Sequence, residues 1–237
     1  MKISSATSVG KIRALNEDAF YVAPLANNSL LAVVADGMGG HNAGEIASNE
    51  AINVIRDVAT ENEHEAKEVL IEALNSANST VYKMSQDKTA LSGMGTTITA
   101  CLISDEKVTA AQVGDSRLYL VRDGKIIQVT KDHSLVEMLI ENGTITRDDA
   151  KHHPQKNVIT RAIGTDSSVE ADIYEFSITK GDIILLCSDG LVNMVEDEKI
   201  LSIIKKTRKF EQTADKLIHE AENAGGNDNI TVILIKF

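Results

Sequence analysis

Leu30 to His41 reads LLAVVADGMGGH, six apolar residues that stop at Asp36-Gly37 before two more glycines and a histidine. A Val- and Leu-rich run of this length predicts a buried strand. A carboxylate at the tip of a buried strand is costly unless it has a partner. The pattern recurs at Ile183 to Gly190, IILLCSDG, ending on Asp189-Gly190, and at Ala110 to Ser116, AAQVGDS, with Asp115. An inverted case leads into a strand: Gly225-Gly226-Asn227-Asp228-Asn229 precedes TVILIKF. One Asp-Gly after a strand is ordinarily a turn. Four such aspartates point to carboxylates gathered at a sheet edge around hard cations.

The rest of the chain reads as scaffold. Ile3–Thr7 and Phe20–Val22 read as strands, the second broken by Pro24 and Asn27-Asn28. Asn42–Val58 is helical, with Ile46, Ala47, Ala51, Val54, Ile55 and Val58 on one face. A second helix is expected over about Glu63–Met84, with Asn62 and Glu65 as a capping box. Strands at Thr96–Ile103, Val108–Val113, Leu118–Arg122 and Ile126–Val129 suggest an antiparallel meander, with Asp123-Gly124 as a hairpin turn. Asp132–Asp166 departs from it as a flap carrying a short helix over Ser134–Glu141 and a possible further turn capped by Thr146-Arg147-Asp148-Asp149. Val158–Ile163 returns to strand. Strands Ile173–Ile178 and Asp182–Cys187, helices Glu196–Lys205 and Glu211–Ala224, and strand Thr231–Lys236 close the chain. Antiparallel strands with separate helix pairs argue α+β. No linker or repeat divides residues 1–237, so one domain is expected.

Composition narrows the function. Hydrophobic residues make up 43% of 237, which supports a sizeable core, and the net charge is −11. That charge argues against nucleic-acid or anionic-membrane partners. The N-terminus has no apolar signal segment, and no run approaches the ~20 residues of a membrane span. A cytoplasmic protein is expected, with Cys101 and Cys187 as buried free thiols. The sequence has no P-loop and no C-x5-R phosphate loop. What remains is oxygen chemistry suited to Mg²⁺ or Mn²⁺. Two such ions ~3.5–4 Å apart can hold a hydroxide for in-line attack on phosphorus. Gly37 leaves room for its carbonyl and a water to approach a metal, and Arg13 has the fork to clamp a phosphate.

Five segments in order resemble the metal-dependent serine/threonine protein phosphatases, the PPM or type 2C family, in compact bacterial form. They are Arg13-x-x-Asn16-Glu17-Asp18, Asp36-Gly37-Met38-Gly39-Gly40-His41, Gly114-Asp115-Ser116-Arg117, Ser188-Asp189-Gly190-Leu191 and Gly226-Asn227-Asp228-Asn229. The resemblance implies a four-layer α-β-β-α sandwich of two antiparallel sheets flanked by helix pairs. It implies that Asp36 bridges two tightly bound Mn²⁺ or Mg²⁺ ions, with Asp189 and Asp228 on one and the Gly37 carbonyl on the other. Asp115, with Asp189, would hold a third ion more weakly. Arg13 would bind phosphate and His41 would act as general acid, with Asp18 and Asn229 behind the ligands. The activity implied is hydrolysis of phosphoserine and phosphothreonine on proteins by a metal-bridged hydroxide. Implied partners are phosphorylated proteins and a cognate kinase, with the enzyme a monomer. The alternatives are a phosphatase of small phosphate esters and a non-catalytic metal-binding module.

Overall fold

Strands with unbroken apolar runs need two buried faces, and the architecture supplies both. The computed structural model describes residues 1–25, 29–40, 43–62 and 64–237. The first half runs β1 (Lys2–Ser8), β2 (Asp18–Pro24), β3 (Leu30–Met38), α1 (Ala43–Glu61), α2 (Ala66–Asp87), β4 (Gly95–Thr96), β5 (Ile98–Ser104) and β6 (Lys107–Val113). The second runs β7 (Arg117–Arg122), β8 (Lys125–Gln128), α3 (Leu135–Glu141), α4 (Arg147–Lys151), β9 (Asp172–Ser177), β10 (Ile183–Cys187), α5 (Asp189–Val192), α6 (Asp197–Lys206), α7 (Thr213–Asn223) and β11 (Ile230–Lys236).

Two antiparallel sheets result. One has the order β1-β11-β10-β7-β8, the other β2-β3-β5-β6-β9 with β4 paired to β3. Successive side chains of a strand point to opposite faces. In β3, Leu30, Ala32 and Val34 therefore enter the core between the sheets, beside Leu186 and Ile233. Leu31, Val33 and Ala35 face α1 and α2. Leu185 and Leu234 likewise meet α6 and α7 on the outer face of the other sheet. The four layers α-β-β-α expected from the sequence are present.

Four local expectations are corrected. The run from Thr96 to Val129 is not one meander: β5 and β6 belong to one sheet, β7 and β8 to the other. The chain crosses at Gly114, whose φ of 105° and whose approach to Thr97, 2.5 Å from where a Cβ would stand, require glycine. Val158–Ile163 makes only single bridges, Ile159 to Ser134 and Ile163 to Thr96. Pro24 does not break β2, because β2 is an edge strand that tolerates a missing N–H; Asn27-Asn28 lies outside the described residues. The second helix starts at Ala66 without a capping box: Asn62 instead bonds Glu72 and the His64 N–H.

Other local signals hold. Asp123 and Gly124 take φ of 49° and 74°, the positive pair of a type I′ hairpin. Thr146 and Asp149 form a capping box for α4. One further expectation fails: Ile46, placed on the apolar face of α1 with Ala47 and Ala51, is 37% exposed, because α1 turns Ala43, Ala47 and Ala51 inward, small residues that let the helix close on the sheet. Cys101 and Cys187 are free and buried. No helix among the described residues is long and apolar enough to cross a membrane.

Candidate active site

The ends of the strands bring the sequence-predicted aspartates together. Asp36 lies where β3 leaves β5 and pairs with β4. Its carbonyl accepts from the Thr97 N–H at 2.9 Å and the Thr96 hydroxyl at 2.9 Å. Its N–H donates to Thr97 Oγ1 at 3.1 Å, so the backbone is fixed and the carboxylate is left over. Asp18 stands directly across from Asp36 in the β2–β3 register. Asp189 follows β10 and opens α5, Asp228 sits just before β11, and Asp115 lies at the crossing between sheets. Gly37 is in close contact: a Cβ there would lie 2.2 Å from the Gly44 carbonyl oxygen and 2.5 Å from that of Glu17.

These carboxylates are mutually repulsive. Burial, then the charges of Asp18, Asp189, Asp115 and Asp228, hold Asp36 well above the usual carboxylate range. Burial first, and Asp189 with Asp132 next, push Asp115 up to about 8. Asp18 is pushed up to about 7, mainly by burial, although the Ser188 hydroxyl donates to its Oδ2 at 2.7 Å. Asp189 rises to about 6 through burial and Asp228, while the neighbouring Asp36 carboxyl and the Arg117 charge pull it down; Asn193 Nδ2 donates to its Oδ2 at 2.9 Å. Three buried oxygens, Glu17 Oε1, Asp18 Oδ1 and Asp189 Oδ1, have no hydrogen-bond partner among the described atoms.

Buried carboxylates with unpartnered oxygens fit hard divalent cations. The donors are oxygens without cysteine or histidine among them, which favours Mn²⁺ or Mg²⁺ over zinc. Among the described residues no three of the Asp, Glu, His and Cys side chains close around one point. The site is a field of buried carboxylates close enough to raise one another's pKa.

Cations border the field. Arg13 Nη2 donates to Asp228 Oδ2 at 2.8 Å, with its side chain half exposed. Arg117 is held more firmly: Nε and Nη2 donate to Asp132 at 2.9 and 2.7 Å, and Nη1 to the Tyr119 hydroxyl at 2.9 Å. Its charge lowers the pKa of both Asp115 and Asp189. Asn229 organises the entry loop. Its Oδ1 accepts from the Glu17 N–H at 2.8 Å, and its Nδ2 donates to the carbonyls of Val9 and Leu15 at 3.0 and 2.9 Å.

Sequence reasoning gave no role to Arg117, Asp132 or His133. His133 clasps Gly114, next to Asp115: its Nδ1 accepts the Gly114 N–H at 3.1 Å and its own N–H donates to the Gly114 carbonyl at 2.9 Å. With Nδ1 accepting, a neutral ring carries its proton on Nε2, which faces Asp172 Oδ2 at 3.3 Å and lies 3.2 Å from Arg161 Nη1. An arginine directly after Gly-Asp-Ser was the one legible signal. His41, the expected general acid, lies outside the described residues.

The pattern of the protein phosphatase 2C family matches residues 9–234. The chain is 39% identical over 235 residues to the serine/threonine phosphatase Stp of Listeria monocytogenes, covering 97% of this chain and 93% of that one. The structure of a serine/threonine phosphatase from S. agalactiae superposes with a TM-score of 0.94 at 35% identity, covering 99% of this chain and 98% of that one. The catalytic domain of the serine/threonine protein phosphatase PstP, solved in complex with two manganese ions, superposes with a TM-score of 0.88 at 35% identity over 98% of this chain and 96% of its own.

Proposed function

The chain belongs to the protein phosphatase 2C family of metal-dependent enzymes and is a serine/threonine protein phosphatase, and we propose that it hydrolyses phosphoserine and phosphothreonine at the carboxylate cluster. The observation that carries this reading is the convergence of Asp18, Asp36, Asp115, Asp189 and Asp228 with buried oxygens left unpartnered. Asp36, Asp189, Asp228 and the Gly37 carbonyl would hold two Mn²⁺ or Mg²⁺ ions, and Asp115 with Asp189 would hold a third more weakly. When bound, such ions supply charge neutralisation and a water acidic enough to act as hydroxide near neutral pH.

The protein's own groups do the rest. Asp18 and Asn229 hold the ligands from behind, one opposite Asp36 and the other bridging the entry loop to β11. Arg13 turns its guanidinium from Asp228 to the phosphate, which a planar fork suits. A serine or threonine alkoxide leaves poorly without a proton, and His41 donates it. His41→Ala should therefore lose ~10²-fold or more in kcat on a phosphothreonine peptide and far less on p-nitrophenyl phosphate. Equal losses would remove the acid role.

Arg13 and Asp228, with side chains 50% and 35% exposed, leave the phosphate position open, as a protein substrate requires. The segment 132–166, rooted at Gly114 through His133, forms a flap within the single domain and contacts substrate beyond the phosphate. The enzyme opposes a serine/threonine kinase in the cytoplasm, acts as a monomer, and takes phosphorylated proteins, that kinase included, as partners. The test is hydrolysis of a phosphothreonine peptide with Mn²⁺, Mg²⁺ or chelator. Turnover with either ion and none in chelator is expected; chelator-resistant turnover would overturn the assignment.

A further inference from the structure

The large apolar side chains exposed among the described residues number nine, and three of them, Val9, Ile12 and Leu15, fall in one nine-residue loop, 9–17. Isolated exposures of this kind need no explanation; this cluster has a setting that gives it one. The loop joins β1 to β2 and carries Arg13. Its backbone is pinned at several points. Asn229 Nδ2 donates to the carbonyls of both Val9 and Leu15, and the Lys11 N–H donates to the Gly226 carbonyl at 2.8 Å. Gly10, at φ 74°, packs so closely that a Cβ would lie 2.2 Å from the Asp228 carbonyl oxygen. A backbone tied down in this way presents its exposed side chains from fixed Cα positions, so little further backbone freedom is lost when something binds them.

The loop is also chemically distinct. Its first seven residues, Val9-Gly10-Lys11-Ile12-Arg13-Ala14-Leu15, hold two cations and no acid, in a chain of net charge −11; the loop's one acid, Glu17, comes at its end. Ile12 is 71% exposed and Leu15 44% exposed, on either side of the arginine that reaches Asp228. A basic, apolar surface against an acidic body complements a ligand with a phosphate and an adjacent apolar group.

We propose that Ile12 and Leu15 form an apolar shelf beside the phosphate position that receives the side chain flanking the phosphorylated residue. The enzyme then selects phosphoproteins with an aliphatic or aromatic neighbour next to phosphoserine or phosphothreonine. This rests on the reading of Arg13 as the phosphate-binding group.

The test uses two phosphothreonine peptides of equal charge, with Leu or Ser flanking the phosphorylated residue, and their non-hydrolysable phosphonate counterparts. The wild-type enzyme should prefer the Leu peptide by about tenfold in kcat/KM, mostly through KM, the effect of partly burying one Leu-sized side chain. The phosphonates should show the same ratio in Kd. In the Ile12→Ser, Leu15→Ser variant the ratio should fall to about one. A wild-type ratio of one overturns the shelf, and so does an equal loss on both peptides in the variant. The wild-type ratio decides the matter by itself should the variant misfold. Intact phosphonate selectivity without hydrolysis would break the catalytic reading and leave the shelf standing. Hydrolysis without selectivity would do the reverse.

Discussion

Two arginine–aspartate pairs border the same carboxylate field. Arg117 and Asp132 are joined by two parallel bonds, their side chains are 26% and 11% exposed, and the guanidinium is also tied to Tyr119. Arg13 and Asp228 share a single bond with side chains 50% and 35% exposed. The first pair has every partner it needs, in a place water reaches poorly. The second is one bond from being free, in a place a phosphate can reach. Firmly held charge supports the field; loosely held charge is available to a ligand. The exposed pair contributes little to stability, whereas removing one partner of a buried pair leaves an uncompensated charge.

The sharpest way to break this comparison is to empty the field that both pairs serve. Asp36→Asn is expected to lower kcat by at least ~10³-fold at saturating Mn²⁺, because the central ligand charge is gone. The fold should persist, and the melting temperature in chelator should not drop, since the lost carboxylate was repelled by its neighbours. Near-normal turnover would sink the cluster as the catalytic centre.

The two pairs themselves should then diverge. Arg117→Ala should destabilise the protein by ~3 kcal/mol through the unpaired Asp132, measured by denaturant unfolding. Arg13→Ala should change stability by less than ~0.5 kcal/mol yet raise KM for a phosphothreonine peptide about tenfold, with Arg13→Lys rescuing only part. Similar stability losses in both variants would erase the distinction between the pairs.

The smallest effect sharpens the field itself. Asp18, Asp115 and Asp189 have folded pKa values of about 7, 8 and 6, above the ordinary 3.8. The folded protein therefore binds more protons than the unfolded chain between pH ~4 and ~8. Their contribution is fully present below pH ~4 and is lost as pH rises through 6–8. Asp182, held low mainly by Arg122, acts oppositely, but only as pH falls below ~4. In chelator, the melting temperature should fall by a few degrees from pH 5 to pH 8.5. Added Mn²⁺ should reverse that trend, because it binds the ionised carboxylates. A flat profile in chelator would mean that the carboxylates do not crowd one another.

Much of this was legible in the residues. The apolar runs ending at Asp36 and Asp189 marked strands buried on two faces, because no other arrangement covers side chains that point both ways. Asp123-Gly124 specified its turn, and Thr146 with Asp149 specified a helix start, since φ preference and capping depend on a few neighbouring residues. Asp36, Asp115, Asp189 and Asp228 stood out because a carboxylate at either end of an apolar run is locally anomalous. Tertiary structure alone divided the run from Thr96 to Val129 between two sheets, set Asp18 across from Asp36, made Asn229 the pin of a loop more than two hundred residues earlier, and paired Arg117 with Asp132. Each of these depends on strand register and sheet stacking between distant segments. That register is fixed by which buried surfaces fit together across the whole core, and no local window of sequence contains it.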